Sequence, residues 1–203
     1  MKLRDFLLGG TPDYYEETAE RILNNYKFDH PRNIDFYELC KQFGMKITKS
    51  KTDLNCAIPA NTGRKGIIVL NETDWISERQ ILAEEFSHLY LHQMSQFSSD
   101  EIIINKTENQ AFKLAANLLI PTNWLLDIEV YPDKNEKTVL AAEVAEEFDV
   151  EPEFALRRLR LLSENYIFGK EPVALWFALY DSPRYSMPLE PIYVVLGNKK
   201  FPL

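Results

Sequence analysis

Two histidines and two glutamates stand close together in one segment, "QILAEEFSHLYLHQ" at residues 80–93. Four residues of α-helix advance about 400°, so Glu84, His88 and His92 follow one slowly rotating stripe. Side chains at i and i+4 can converge on one ion, which is the spacing that helical metal sites use. Glu85 lies on the flank of the stripe, where a carboxylate can act as a general base without binding the metal.

The same spacing also fits the solvated face of an amphipathic helix. Its apolar side would carry Ile81, Leu82, Phe86, Leu89 and Leu91. Motif matches in a single sequence have a high false-positive rate, so this helix alone leaves both interpretations open.

A second segment favours the metal site. The stretch "KTENQAFKLAANLLIP" at residues 106–121 predicts a helix that stops before Pro121, is rich in apolar and small residues, and carries Glu108 near its start. Hydrolytic zinc sites need three protein ligands and one open position, and the third ligand often comes from a neighbouring helix. Glu108 can supply that ligand.

The elements that must position these residues are readable from periodicity. Three strand-like segments, "MKITKS", "LNCAIPA" and "KGIIVLN", predict a small antiparallel sheet. A long helix over residues 74–96 follows the sheet and contains the histidines. Beyond Pro121, the stretch "VLAAEVAEEFDVEPEFALRRLRLL" predicts two helices joined by a tight turn near Asp149 and Val150, which is the outline of a helix-turn-helix.

The expected fold class is therefore α+β, in three parts. Residues 1–121 form the domain with the candidate site, residues 122–166 a helix-turn-helix-like module, and residues 167–203 an extension with two strand candidates.

The composition limits the possible partners and the cellular compartment of the protein. The chain has 203 residues and a net charge of −8, from 31 acidic and 23 basic side chains, which disfavours nucleic acid and anionic membranes as partners. We find no signal peptide, and the longest apolar run, "VALWFALY", is far shorter than the roughly 20 residues that span a bilayer. The two cysteines, Cys40 and Cys56, imply no disulfide framework, so we expect both to be buried, inert thiols in a reducing cytoplasm.

Charge also argues against DNA reading by the helix-turn-helix outline. Its second helix carries Arg157, Arg158 and Arg160, which could contact phosphates. Its first turn, however, holds Glu151 and Glu153, where residues that read the major groove normally lie. A structural or substrate-docking role fits this charge pattern better.

The order of these segments resembles the ImmA/IrrE family of metallo-endopeptidases over about residues 14–162. The histidine helix and the stretch from Glu108 to Pro121 carry the resemblance most strongly. It implies a zincin-like metallopeptidase domain in which a His-Glu-x-x-His motif supplies two zinc ligands and a catalytic glutamate. By this resemblance the catalytic residue is Glu85 and the ligands include His88 and Glu108.

This chain departs from the motif at its first position, where Glu84 replaces histidine. A carboxylate can bind zinc, so Glu84, His88 and Glu108 could form one ligand set, and its harder donors would shift the preference toward manganese or iron. Alternatively, His92 replaces the lost histidine from the next turn, and the set is His88, His92 and Glu108.

The resemblance implies cleavage of another protein, typically a helix-turn-helix repressor of a phage or other mobile element. The alternative is a non-catalytic relative that binds and sequesters such a regulator, as an antirepressor does. A DNA-binding regulator is a third and weaker interpretation.

Overall fold

The computed structural model describes residues 1–51, 55–60, 63–92, 101–133, 136–169, 174–178, 195–196 and 199–200. The predicted helix end at residues 93–96, the polar break before residue 101 and much of the C-terminal extension lie outside these residues, although the first strand candidate of the extension is described over residues 174–178.

Helices alternate with short strands along the chain. The α-helices are α1 (Tyr14–Leu23), α2 (Phe36–Gln42), α3 (Trp75–Leu91), α4 (Glu101–Leu119), α5 (Thr122–Leu125), α6 (Ala141–Phe148) and α7 (Pro152–Asn165). The strands are β1 (Leu7–Gly10), β2 (Met45–Ser50), β3 (Cys56–Pro59), β4 (Gly66–Asn71), β5 (Tyr131–Asp133), β6 (Glu136–Leu140), β7 (Tyr166–Phe168), β8 (Ala174–Ala178), β9 (Val195–Leu196) and β10 (Lys199–Lys200). The predicted α+β class is confirmed.

The sheet that precedes the histidine helix is mixed, whereas the sequence predicted an antiparallel one. Its strand order is β2-β4-β3, with β2 parallel and β3 antiparallel to β4. The reason is the order of pairing. The chain reverses direction twice between β2 and β4, and β3 pairs with the far edge of β4, so β2 and β4 become parallel neighbours.

One face of this sheet packs against α3. Ala57, Ile68 and Leu70 point to this face and are buried. Gly66 lies on the same face, where a Cβ atom would come within 2.4 Å of the Ile58 carbonyl oxygen and 2.8 Å of the Leu89 side chain. The absence of a side chain at Gly66 therefore allows α3 to approach the sheet closely.

The boundaries of the two site helices differ from the prediction. Asp74 caps α3 by accepting hydrogen bonds from the Ile76 and Ser77 amides, but α3 ends at Leu91, before the predicted end, and His92 adopts an extended conformation. The helix α4 begins at Glu101, more than one turn before the predicted start at Lys106, because neither glycine nor proline interrupts residues 101–105. Glu108 is thus an interior residue of α4.

The helices α6 and α7 and the turn between them form the predicted helix-turn-helix outline. Asp149 has φ of 52°, a left-handed conformation that Asp tolerates better than most residues.

The chain divides into two compact units. The helix–sheet unit comprises residues 12–121 and 148–151, and the terminal unit comprises residues 1–11, 122–147 and 152–203.

A buried arginine fixes the turn within the helix–sheet unit. Arg79 of α3 donates hydrogen bonds to the carbonyls of Phe148 at 2.9 Å, Asp149 at 3.2 Å and Pro31 at 2.8 Å. The Gln80 side chain accepts a hydrogen bond from the Glu151 amide. The helix that carries the histidines therefore also holds the turn between α6 and α7.

In the terminal unit, short strands bring distant parts of the chain together. The N-terminal β1 pairs antiparallel with β7, and β6 lies between β5 and β8. Neither β1 nor β6 was predicted from the sequence, because neither segment shows a clear alternation of apolar and polar residues.

Arg158 is only 1% exposed and donates a hydrogen bond to the Thr122 hydroxyl at 2.7 Å. The suggested phosphate contact by Arg158 is therefore wrong, since burial removes its guanidinium from solvent.

Among the described residues, no helix is both long and apolar enough to cross a membrane.

Candidate metal centre

The packing of α3 against α4 brings together two of the predicted ligands. The Nε2 atom of His88 lies 3.3 Å from the Oε2 atom of Glu108. His88 is buried, whereas the Glu108 side chain is about half exposed. The small residues Ala111 and Ala115 of α4 are fully buried, and small side chains permit close helix–helix approach. The pair therefore joins one imidazole and one carboxylate from two helices at an accessible edge.

The electrostatics of the pair favour a neutral imidazole. Burial lowers the pKa of His88, and the nearby charge and hydrogen bond of Glu108 oppose that effect only in part. A histidine must be deprotonated to bind a metal through its ring nitrogen. His88 is thus held in the form that a metal ion requires.

His92 lies next to this pair although it has left the helix. The ring centroids of His88 and His92 are 6.1 Å apart. Burial lowers the pKa of His92, and the charge of His88 lowers it further, while a hydrogen bond to the Thr107 backbone and the charge of Glu108 act in the opposite direction. Glu108 therefore acts electrostatically on both histidines. Among the described residues, the buried Nε2 atom of His92 has no hydrogen-bond partner.

The two glutamates of the motif lie on α3 before His88. Both side chains are partly exposed, and Glu84 precedes His88 by one helical turn. The charge of Glu85 reaches Cys56 on β3, where it raises the pKa of the thiol as a second cause after burial. The electrostatic influence of Glu85 thus extends to β3, a strand that packs against α3.

The electrostatic relation between Cys56 and Glu85 was not predicted from the sequence. We predicted two buried, inert thiols, and Cys40 is buried with its pKa raised by burial to about 12. Cys56, in contrast, is only partly buried. Its position depends on how β3 pairs beside α3, and nothing in the local sequence signals that pairing.

The chemistry and spacing of the His88–Glu108 pair fit a divalent metal ion. Two ligand atoms that each lie about 2.0–2.1 Å from one zinc ion at a tetrahedral angle are about 3.4 Å apart, close to the observed separation. The Nε2 atom of His92, which has no hydrogen-bond partner in the part of the chain that the structure describes, is a further candidate nitrogen ligand near the pair. Within the residues that the structure describes, however, no three His, Cys, Asp or Glu side chains form a complete cluster for a metal ion. The choice of third ligand remains a prediction.

An α+β domain with an imidazole on one helix and a carboxylate on the next is consistent with a zincin-like metallopeptidase. The model of the Peptidase M78 family, described as the IrrE N-terminal-like domain, matches residues 40–160, which is 121 of 203 residues or about 60% of the chain. The chain therefore belongs to this family, and the resemblance seen in the sequence is confirmed. No curated protein matches the chain.

Proposed function

We propose that this protein is a metal-dependent endopeptidase that cleaves a helix-turn-helix repressor or a similar regulator of a mobile element. The observation that carries the proposal is the His88–Glu108 pair, which joins an imidazole and a carboxylate from two helices of an M78 peptidase domain. The class of substrate comes from the family resemblance.

We assign metal binding to His88 and Glu108, with a third ligand from His92 or Glu84. The position of His92 supports the first choice, since Glu108 acts on both histidines and the Nε2 atom of His92 has no partner in the described structure. Helix geometry supports the second, because Glu84 and His88 are one turn apart. When bound, zinc, manganese or iron would polarise the scissile carbonyl and make water a better nucleophile.

We assign proton transfer to Glu85. It is next to Glu84 and three residues before His88, so its carboxylate diverges from the ligand stripe. Its side chain is partly exposed, and a carboxylate there can accept the proton of the attacking water and pass it to the leaving amine.

A non-catalytic role is the second candidate, and one observation favours it. The motif has Glu84 in place of its first histidine, and the described residues contain no complete three-residue ligand cluster. A relative that lost the metal would still present the same scaffold to a regulator and sequester it. Direct action on DNA has less support, because Arg158 is buried and the chain carries a net charge of −8.

The deciding experiment is co-expression of this chain with helix-turn-helix regulators from neighbouring genes, followed by mass spectrometry of fragments. We expect cleavage of one regulator at a defined bond and loss of cleavage in the Glu85→Gln variant. Purified components with and without chelator then test the metal requirement. A regulator that forms a stable complex but stays intact with metal present would establish the sequestering role instead.

A further inference from the structure

The outer face of the mixed sheet, on the side away from α3, is an apolar and basic surface. Strand registers place Lys46, Ile67 and Ile58 side by side across β2, β4 and β3. Alternation along β4 turns Ile67 away from α3, because its neighbours Gly66 and Ile68 point toward that helix and are buried. We call the surface formed by Lys46, Ile58, Lys65 and Ile67 the outer sheet face.

Its apolar side chains are unusually exposed for a sheet interior. Ile58 is 43% exposed and Ile67 is 41% exposed, and the two are direct cross-strand partners. Ile67 belongs to the central strand of the sheet, so its exposed side chain lies in the middle of the outer sheet face. Paired in this way, the two isoleucines form a continuous apolar patch on the solvent side of the sheet.

The charge of the outer sheet face is opposite to that of the whole chain. Lys46 and Lys65 are exposed, and neither forms an ion pair with any residue that the structure describes. The alkyl chain of Lys65 lies over Gly44, about 3.3 Å from where a Cβ atom would be, which keeps the lysine on the sheet. A positive, partly apolar face on a chain of net charge −8 selects for acidic, aliphatic partners.

The dimensions of this face favour a helix as the partner. Three strands spaced about 4.8 Å apart span roughly 10 Å, which matches the diameter of an α-helix with its side chains. The opposite face is already covered by α3, and helices on both faces of a sheet form a common layered arrangement.

We infer that the outer sheet face docks an amphipathic helix of the partner protein, with a leucine-type stripe on Ile58 and Ile67 and glutamate or aspartate beside Lys46 and Lys65. This inference rests on the proposed function only in assigning the helix to the protein that is cleaved or sequestered. Docking would hold that protein by a surface separate from the His88–Glu108 pair.

The test uses fluorescence anisotropy with the full chain in chelator, so that binding is measured without cleavage. The probe is a labelled peptide of about 18 residues, long enough for partial helicity, with leucines at i, i+3, i+4 and i+7 flanked by glutamates. The control peptide has lysines in place of the glutamates. We expect saturable binding of the acidic peptide that weakens with salt, and much weaker binding of the basic one.

Two double variants probe the apolar and charged contacts separately. Ile58→Thr with Ile67→Thr keeps two β-branched strand residues and should weaken binding by about ten-fold. Lys46→Glu with Lys65→Glu should reverse the preference in favour of the basic peptide. Matched controls are Ile167→Thr and Lys27→Glu, exposed residues elsewhere that should leave binding unchanged. Circular dichroism verifies the fold of each variant.

Absence of binding by the wild type, or equal binding by the outer-face variants, overturns the inference. Sedimentation analysis supplies a further outcome: dimers that dissociate in the isoleucine variant would assign the face to a second copy of this chain and also overturn it. Binding that follows the expected pattern without any cleavage of regulators would refute the peptidase proposal alone. If the outer-face variants cleave the regulator at the same rate as the wild type, only the docking inference is refuted.

Discussion

The Nε2 atom of His88 lies 3.3 Å from the Oε2 atom of Glu108, although 19 residues, 89–107, lie between the two in the sequence. The contact joins two helices through an imidazole and a carboxylate, two groups that can each bind a divalent metal ion. Burial lowers the pKa of the His88 imidazole and so favours its neutral form, and the exposed side chain of Glu108 leaves the pair accessible. Metal binding is therefore the most direct property to test.

We expect the purified protein to retain about one divalent ion per chain after dialysis without chelator. The variants His88→Ala and Glu108→Ala should each lower the content to background, because each removes one member of the pair. Elemental analysis measures the ion directly. His30→Ala is the matched control, since His30 accepts a hydrogen bond from the Arg32 amide outside the site. Metal retention that survives loss of His88 would contradict the assignment.

The third ligand is decided by two further substitutions. If His92 binds the ion, His92→Ala should weaken zinc affinity by at least about ten-fold and Glu84→Ala should have little effect. If Glu84 binds it, the order reverses, and manganese or iron should compete better because the donor set is harder. Competition with a chromogenic chelator measures both. Equal and negligible effects of Glu84→Ala, His92→Ala and His88→Ala would instead indicate a solvated helix face.

Glu85 is expected to act in chemistry and not in metal binding. Glu85→Gln keeps the size and polarity of the side chain but removes the proton acceptor, so cleavage of the cognate regulator should fall by about 100-fold or more. Metal content and thermal stability should stay near those of the wild type. Normal cleavage by this variant would show that the base is another residue.

The two cysteines should differ in reactivity. Burial raises the pKa of Cys40 to about 12, so it stays a protonated, inaccessible thiol, whereas the partly exposed Cys56 should react with a disulfide reagent in native protein. Since the charge of Glu85 raises the pKa of Cys56, Glu85→Gln should speed its labelling by about two-fold in metal-free protein. Labelling rates near pH 8 test this, with Glu20→Gln as control. Unchanged rates would contradict the proximity of Glu85 and Cys56.

Arg79 should contribute strongly to stability. Its guanidinium, which burial leaves with a pKa lowered to about 10, remains charged at neutral pH and donates to three backbone carbonyls. Arg79→Met removes these donors at similar length, so the free energy of unfolding should fall by about 2–4 kcal/mol. Urea denaturation measures the change. The exposed control Lys27→Gln should change it by less than about 0.5 kcal/mol; an equally small effect of Arg79→Met would disprove this role.

Local sequence was sufficient to predict the helices, the helix-turn-helix outline and the residues able to bind a metal. Apolar periodicity acts within a few positions of the chain, and two histidines four residues apart are visible without tertiary information. Glu108 was a candidate ligand from the composition of its own predicted helix, and the family resemblance supported that choice.

Only the tertiary structure decided which of these residues meet. Contacts between distant segments, which no local pattern specifies, decide three features. They are the parallel pairing of β2 with β4, the electrostatic effect of Glu85 on Cys56 and the burial of Arg158. The pairing of His88 with Glu108 likewise follows from the packing of α3 on α4. The same packing removes His88 from water, so its lowered pKa is a property of the fold and not of the motif.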